Sequence, residues 1–231
     1  MIPMVTSLPQ RMSDRTCSYA FLGRVDYQDA WDMQRAMAQE VAAGSRGNTL
    51  LLLEHPPTYT LGRRSKAEDL LMPREALSAM GAQVVEVDRG GEITFHGPGQ
   101  LVGYPILDLR GWGGPLKYVR ALEAALIGGL WAFGVKAGQV GGLTGVWVGG
   151  EKIAAIGVRI SRGVTTHGFA LNVSTDLRWF QHIVPCGIKD KGVTSMERLL
   201  GRAPTLEEAA RVVARRLGEE MGMEMEDVCS L

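Results

Sequence analysis

Little in this sequence would staple, anchor or polarise the chain. Only three cysteines occur in 231 residues, Cys17, Cys186 and Cys229, and two of them sit near the ends. A disulfide framework is thereby excluded, and a reducing cytoplasm is the expected setting. Lysine plus arginine and aspartate plus glutamate both total 25, so no net field draws the chain to nucleic acid or to an anionic membrane. No segment supplies the roughly 20 consecutive apolar residues of a membrane span, and residues 1–16 contain no apolar run of signal-peptide length. Internal repeats, low-complexity linkers and shifts of composition are missing as well. With 45% hydrophobic residues, the chain is expected to build one generous core.

Glycine, by contrast, is plentiful: there are 30, clustered towards the middle of the chain. Around them the hydrophobic pattern alternates between two periods. Ser18–Leu22 reads as a strand, and Asp26 caps a helix carrying Ala30, Met33, Met37 and Val41 up to Gly44. Asn48–Glu54, with four consecutive leucines, reads as a buried strand. A short helix is expected over 73–80 and a strand over 82–87. Pro115 opens a central helix, with Leu116, Val119, Leu122, Leu126, Leu130 and Trp131 assigned to its inner side and Gly134 closing it. Gly149-Gly150 between Leu143–Val148 and Glu151–Ile160 signals a hairpin, and Thr165–Val173 continues the sheet. Capping-box patterns at Thr194…Glu197 and Thr205…Glu208 start two further helices, the last running from Leu206 to Met221. The fold class expected is α+β, a single domain with a mixed β-sheet and packed helices.

Several residues carry chemistry. Cys186 stands in Val184-Pro185-Cys186-Gly187, a turn-like setting that presents a thiol to solvent and substrate, although most unpaired cysteines are small buried hydrophobes. Lys152 follows the hairpin turn. It is either an ordinary strand lysine or, if the fold brings it to Cys186, the ammonium that favours the thiolate. The stretch Arg89-Gly90-Gly91-Glu92-Ile93-Thr94-Phe95-His96-Gly97-Pro98-Gly99-Gln100 suits a backbone that passes close over an elongated ligand, yet it lacks the lysine and hydroxyl of a nucleotide-binding P-loop. His96 and His167 are each open to three readings: acid or base, positioning residue, or polar plug. His182 and Cys186 are four apart, but no second close pair completes a metal site, so no metal is expected. Between Glu151 and Arg198 seven basic residues face four acidic ones, either surface charge or a seat for an acidic partner.

These motifs, in this order, resemble the lipoyl(octanoyl) transferase family of the biotin/lipoate protein ligase superfamily. The resemblance is carried by 53–62 (Leu-Glu-His-Pro-Pro-Thr-Tyr-Thr-Leu-Gly), 89–100, Gly145-Val146-Trp147-Val148 with Lys152-Ile153-Ala154, 166–173, and Ile183-Val184-Pro185-Cys186-Gly187-Ile188. It implies a biotin/lipoate protein ligase-like catalytic domain over 17–221, between an extension at 1–16 and a tail at 222–231. It further implies that Cys186 carries the acyl group as a thioester, and that Lys152 lowers the cysteine pKa and then assists the incoming amine. Substrate would be contacted by Arg89 through His96, by Ala155, Ile156 and Gly157, and by Gly168, Phe169 and Ala170, with His167 in support and Ile93, Phe95, Ile156 and Phe169 lining an apolar groove. The implied donor is octanoyl-acyl carrier protein, the acceptors are lipoyl-domain proteins, and no cofactor is needed. Two rivals stand beside this expectation: an ATP-dependent lipoate or biotin ligase of the same fold, and a non-catalytic acyl-binding module.

Overall fold

A computed structural model describes residues 16–184 and 191–228. Its frame is an eight-stranded sheet in the order β11-β1-β2-β6-β10-β9-β8-β7, formed by β1 (Thr16–Arg24), β2 (Asn48–Glu54), β6 (Gln100–Ile106), β7 (Gly138–Val140), β8 (Leu143–Val148), β9 (Glu151–Ser161), β10 (Val164–Asn172) and β11 (Glu224–Asp227). β1 runs parallel to both β2 and β11, and the other pairings are antiparallel. A second sheet of three strands has the order β4-β3-β5, with β3 (Thr58–Leu61), β4 (Gln83–Glu86) and β5 (Ile93–His96). A short helix, α2 (Arg74–Ala79), lies between β3 and β4, and the expected mixed α+β architecture is therefore present.

β2 is apolar without alternation because both its faces are covered. Leu50 and Leu52 meet α3 (Pro115–Ala132) and α5 (Leu206–Met221) on one side, while Leu51 and Leu53 meet α1 (Tyr27–Ala43) on the other. All four are 0% exposed. The start of α1 is set by Asp26, whose carboxylate accepts the Gln28 N–H at 2.9 Å, and its end by Gly44 at φ 77°. α5 has the full capping box of Thr205 and Glu208.

Three expectations are corrected. Leu116 and Trp131 of α3 are 69% and 62% exposed, and the inner stripe is Tyr118, Ala121, Leu122, Ala125, Leu126, Gly129 and Leu130. A reading weighted by hydrophobicity passes over the small residues, yet Ala125 and Gly129 are what let α5 come close: a Cβ on Gly129 would lie 3.2 Å from Val213 Cγ2. The cap before α4 (Met196–Leu200) is Ser195, which accepts the Arg198 N–H at 3.2 Å, rather than Thr194, whose own N–H is tied to Lys152 O. Finally, the segment after Met221 is more than a tail. Glu224–Asp227 adds an edge strand beside β1, whose acidic side chains discourage further pairing.

Candidate active site

The pairing of β8 with β9 reaches only to Ala154. Beyond it, the free edge of β9 is met by the loop before β5, where the Gly90 N–H bonds Val158 O at 3.0 Å. Between this loop and the large sheet lies a cavity of about 690 Å³, within the range of small-molecule sites. Its lining includes Arg89, Gly90, Gly91, Glu92, Ile93, Thr94, His96, Lys152, Ala155, Ile156, Gly157, His167, Gly168, Phe169 and Ala170. Segments far apart in sequence, read as substrate contacts, are thus brought around one space. Glycine is required where the walls approach. A Cβ on Gly157 would sit 2.9 Å from Gly90 O and 3.1 Å from Arg89 Cδ.

Phe95 departs from the expectation. Strand alternation turns its ring away from the cavity, stacked on Trp179 at 5.3 Å and set edge-on to Phe180 at 5.6 Å, so it anchors the back of the small sheet. Ile93 packs in the same cluster while bordering the cavity. Arg89 lines the cavity but directs donors into the loop. Nη1 bonds Gly90 O at 3.1 Å and Glu92 O at 2.9 Å, and Nη2 bonds Thr60 O and Oγ1, both at 2.8 Å.

Beneath the cavity runs a chain of buried polar groups with a consistent direction. Thr60 Oγ1 accepts from Arg89 and therefore donates its own hydrogen to His96 Nε2, at 3.2 Å. His96 Nδ1–H then donates to Gln100 Oε1 at 2.9 Å. The Gln100 amide donates to Asn172 Oδ1 at 2.9 Å, and Asn172 donates to Thr194 O at 3.0 Å. Burial holds His96 neutral, well below the usual histidine range. This network makes His96 a fixed polar strut, which narrows the three readings open in the sequence.

His167 has φ 56°, an unusual backbone for a non-glycine residue, stabilised by its N–H bonding Gln34 Oε1 at 2.7 Å. Its Nε2 lies 2.8 Å from Asp88 Oδ1, and Arg159 also pairs with Asp88 at 3.2 Å. Burial nevertheless pushes the imidazole down to about 4, outweighing the carboxylate, so the contact is a hydrogen bond from neutral Nε2–H and not an ion pair. Nδ1 is left as a buried acceptor with no partner among the described residues. His55, given no role in the sequence reading, is also 0% exposed and pushed down to about 4 by burial. It donates Nδ1–H to Val25 O and accepts from the Tyr104 hydroxyl, both at 2.7 Å. The signal available was its place at the end of the leucine strand, where a buried histidine needs two partners.

Lys152 stands on the cavity wall and is 8% exposed. Its aliphatic stem passes Gly145, and Nζ lies 4.8 Å from the centre of the Trp147 ring. Cys186 lies outside the described residues. On its N-terminal side, the Val184 N–H bonds Asp69 O at 2.8 Å, and His182 O accepts the Leu71 N–H at 2.9 Å. On its C-terminal side, the chain returns to Lys152 itself, whose N–H bonds Gly192 O at 2.9 Å and whose carbonyl accepts the Thr194 N–H at 3.0 Å. No spacing rule in the sequence predicts that contact.

Known proteins share this sequence pattern and this fold. The family model described as the lipoyl protein ligase A/B catalytic domain matches residues 26–218. A protein of Chloroflexus aggregans named octanoyltransferase is 52% identical over 205 residues, covering 87% of this chain and 93% of its own. One of Koribacter versatilis, with the same name, is 51% identical over 203 residues, covering 85% and 81%. Among solved structures, a lipoate-protein ligase A bound with ATP superposes with a TM-score of 0.70 at 15% identity, covering 93% of this chain and 90% of that one. The bipartite lipoate protein ligase of Thermoplasma acidophilum gives 0.70 at 14%, covering 94% and 88%. No helix among the described residues is long and apolar enough to cross a membrane. The chain belongs to the family of the lipoyl protein ligase A/B catalytic domain and, within it, to the octanoyltransferases.

Proposed function

We propose that this protein moves an octanoyl group from the thioester of acyl carrier protein to the side-chain amine of a lipoyl-domain lysine, with Cys186 carrying the acyl group in between. The observation that supports it best is the tie between Lys152 and the chain just beyond Cys186: both backbone groups of a cavity-lining lysine are bonded to residues 192 and 194. In the first step the Cys186 thiolate attacks the thioester carbon. A C–S bond forms, the bond to the carrier's sulfur breaks, and that sulfur leaves with the electron pair and takes the proton of the Lys152 ammonium, which leaves Lys152 neutral. In the second step the lysine amine attacks the same carbon. A C–N bond replaces the C–S bond, neutral Lys152 takes the amine proton, and Cys186 leaves with the electron pair as the thiolate, which restores the starting pair. Thioester exchange is near balance and amide formation is downhill, so the sequence of steps needs no ATP.

The acyl chain fits the wall. Ile156 and Phe169 offer apolar surface, and each buried methylene contributes about 0.8 kcal/mol. Glycines at 90, 91, 157 and 168 leave backbone exposed to the ligand. The described basic residues include Arg64, which lines the cavity, is 71% exposed and pairs with Glu92 at 2.9 Å, a suitable contact for an acidic carrier.

Intact-mass measurement after mixing with octanoyl-acyl carrier protein tests the reading. The wild type should gain one octanoyl adduct, lost in Cys186→Ser, and Lys152→Met should acylate and transfer about 100-fold more slowly. Continued turnover of Cys186→Ser with free octanoate and ATP would assign the chain to the ligases instead. An unmodified wild type at every time point would make it an acyl-binding module.

A further inference from the structure

Trp147 stands directly opposite Lys152 in the β8–β9 pairing, and the register shifts between Val146 and Trp147. Such an irregularity re-aims a side chain. Here it brings the indole to the Lys152 ammonium, 4.8 Å from the ring centre, while Lys191 approaches the same ring at 5.8 Å. Both distances lie within the reach of a cation–π contact. The indole is 4% exposed, and its Nε1–H has no hydrogen-bond partner among the described residues. A buried indole without a partner for its one donor forgoes the usual polar reward of tryptophan. What it offers these two lysines is the face of the ring.

The opposite side of the Lys152 stem is also fixed. Gly145, at φ 123°, runs so close that an added Cβ would lie 2.7 Å from Ala154 O and 3.5 Å from Lys152 Cε. Its N–H is held at 3.0 Å by Glu123, a carboxylate of α3 that is 0% exposed and also accepts from Gln139 and Arg120. A buried, fully hydrogen-bonded carboxylate holds its neighbours rigidly.

We propose that Trp147 is a positioning residue. Its π-face gathers the Lys152 and Lys191 ammoniums at one place, and this electropositive seat, closed from behind by the Glu123–Gly145 contact, is what favours the thiolate of the acyl-accepting cysteine. This rests on the reading of Lys152 as the partner of Cys186. The indole touches no reacting atom and acts only through the lysines.

Replacing Trp147 leaves a void that risks the fold, so the decisive variants keep the shape. Site-specific incorporation of mono-, di- and trifluorotryptophan at position 147 drains the π-face without changing the packing. In a Cys229→Ala background, the rate of Cys186 alkylation by iodoacetamide is followed against pH. The apparent thiol pKa should rise with each fluorine, slowing alkylation at pH 7 by about tenfold across the series. Trp147→Phe should fall between the wild type and Trp147→Leu. Lys152→Met separates the two claims. If it shifts the profile while the fluorinated series stays flat, the role of Trp147 is overturned and the role of Lys152 stands. If Lys152→Met leaves the profile unchanged, the pairing of Lys152 with Cys186 fails, and the proposal for Trp147 fails with it.

Discussion

The two halves of the large sheet share one hydrogen-bonding ladder and serve opposite ends. In β1 and β2 side chains fill the layer: Leu50 to Leu53 are wholly buried and Cys17 closes it against α3 and α5, while β6 borders both regions, with Leu101 in the core and Gln100 and Tyr104 on the cavity wall. In β9 and β10 the corresponding places hold Gly157 and Gly168, and the space they leave is bounded by backbone and by polar groups, among them His96, Gln100 and Asn172, which are hydrogen-bonded to one another. Burial in the first half supplies apolar contact at about 25 cal/mol per Å². Burial in the second is offset group by group through hydrogen bonds, which contribute little net stability but cost a great deal when broken. Stability and function are thereby lodged in different strands of one sheet.

Arg89→Ala should break that division most severely. It would leave Thr60 O, Gly90 O and Glu92 O without the guanidinium, and an acceptor orphaned in a buried place, as at Thr60, costs about 1–3 kcal/mol. The loop over the cavity should open, octanoyl transfer should fall to near background, and amides 90–94 should lose protection in hydrogen exchange. Amides 50–53 should keep theirs. Equal loss of protection in both segments would mean that the halves are one energetic unit.

A disturbance by pH is smaller and reaches the floor of the cavity. Burial pushes His55 and His167 down to about 4, below the ordinary 6.5 of the unfolded chain. Between those values the unfolded state binds more protons than the folded one, so stability is full above pH 6.5 and is lost as pH falls towards 4. Each residue would remove up to about 3 kcal/mol over that window. Urea midpoints at pH 7, 5.5 and 4.5 should decline, and His55→Phe should flatten the decline by one proton's worth. An unchanged slope in that variant would place the titration elsewhere.

Local chemistry explains which parts of this arrangement were legible in the sequence. The hairpin was, because Gly149 and Gly150 adopt the positive φ, 55° and 90°, that their pairing announces. So was α5, whose capping box is written in Thr205 and Glu208. The inner face of α3 was misread because alanine and glycine carry too little apolar surface to register, and β11 went unread because three of its four residues are acidic. At the site, the described residues that the family resemblance named as substrate contacts, Phe95 apart, line one cavity. The outward turn of Phe95 is a matter of strand parity and could have been found by alternation. What no local rule contains is the meeting of Lys152 with residues 192–194, or of Trp147 with Lys191, since both bring together segments far apart in the chain; the facing of Trp147 and Lys152 belongs to the hairpin.

The mildest change sharpens the comparison through a second thiol. Cys17 belongs to the filled half, 1% exposed in the core cluster with Leu50 and Leu217, and burial pushes its thiol up to about 12. A thiol that stays protonated in that setting is a small hydrophobe and no nucleophile. Cys17→Ala should therefore cost about 1 kcal/mol of packing. It should leave the rate of octanoyl transfer and the pH profile of alkylation where they were. If instead activity fell with Cys17, the acyl group would be carried in the wrong half of the sheet, and the separation of filled strands from working strands would have to be given up.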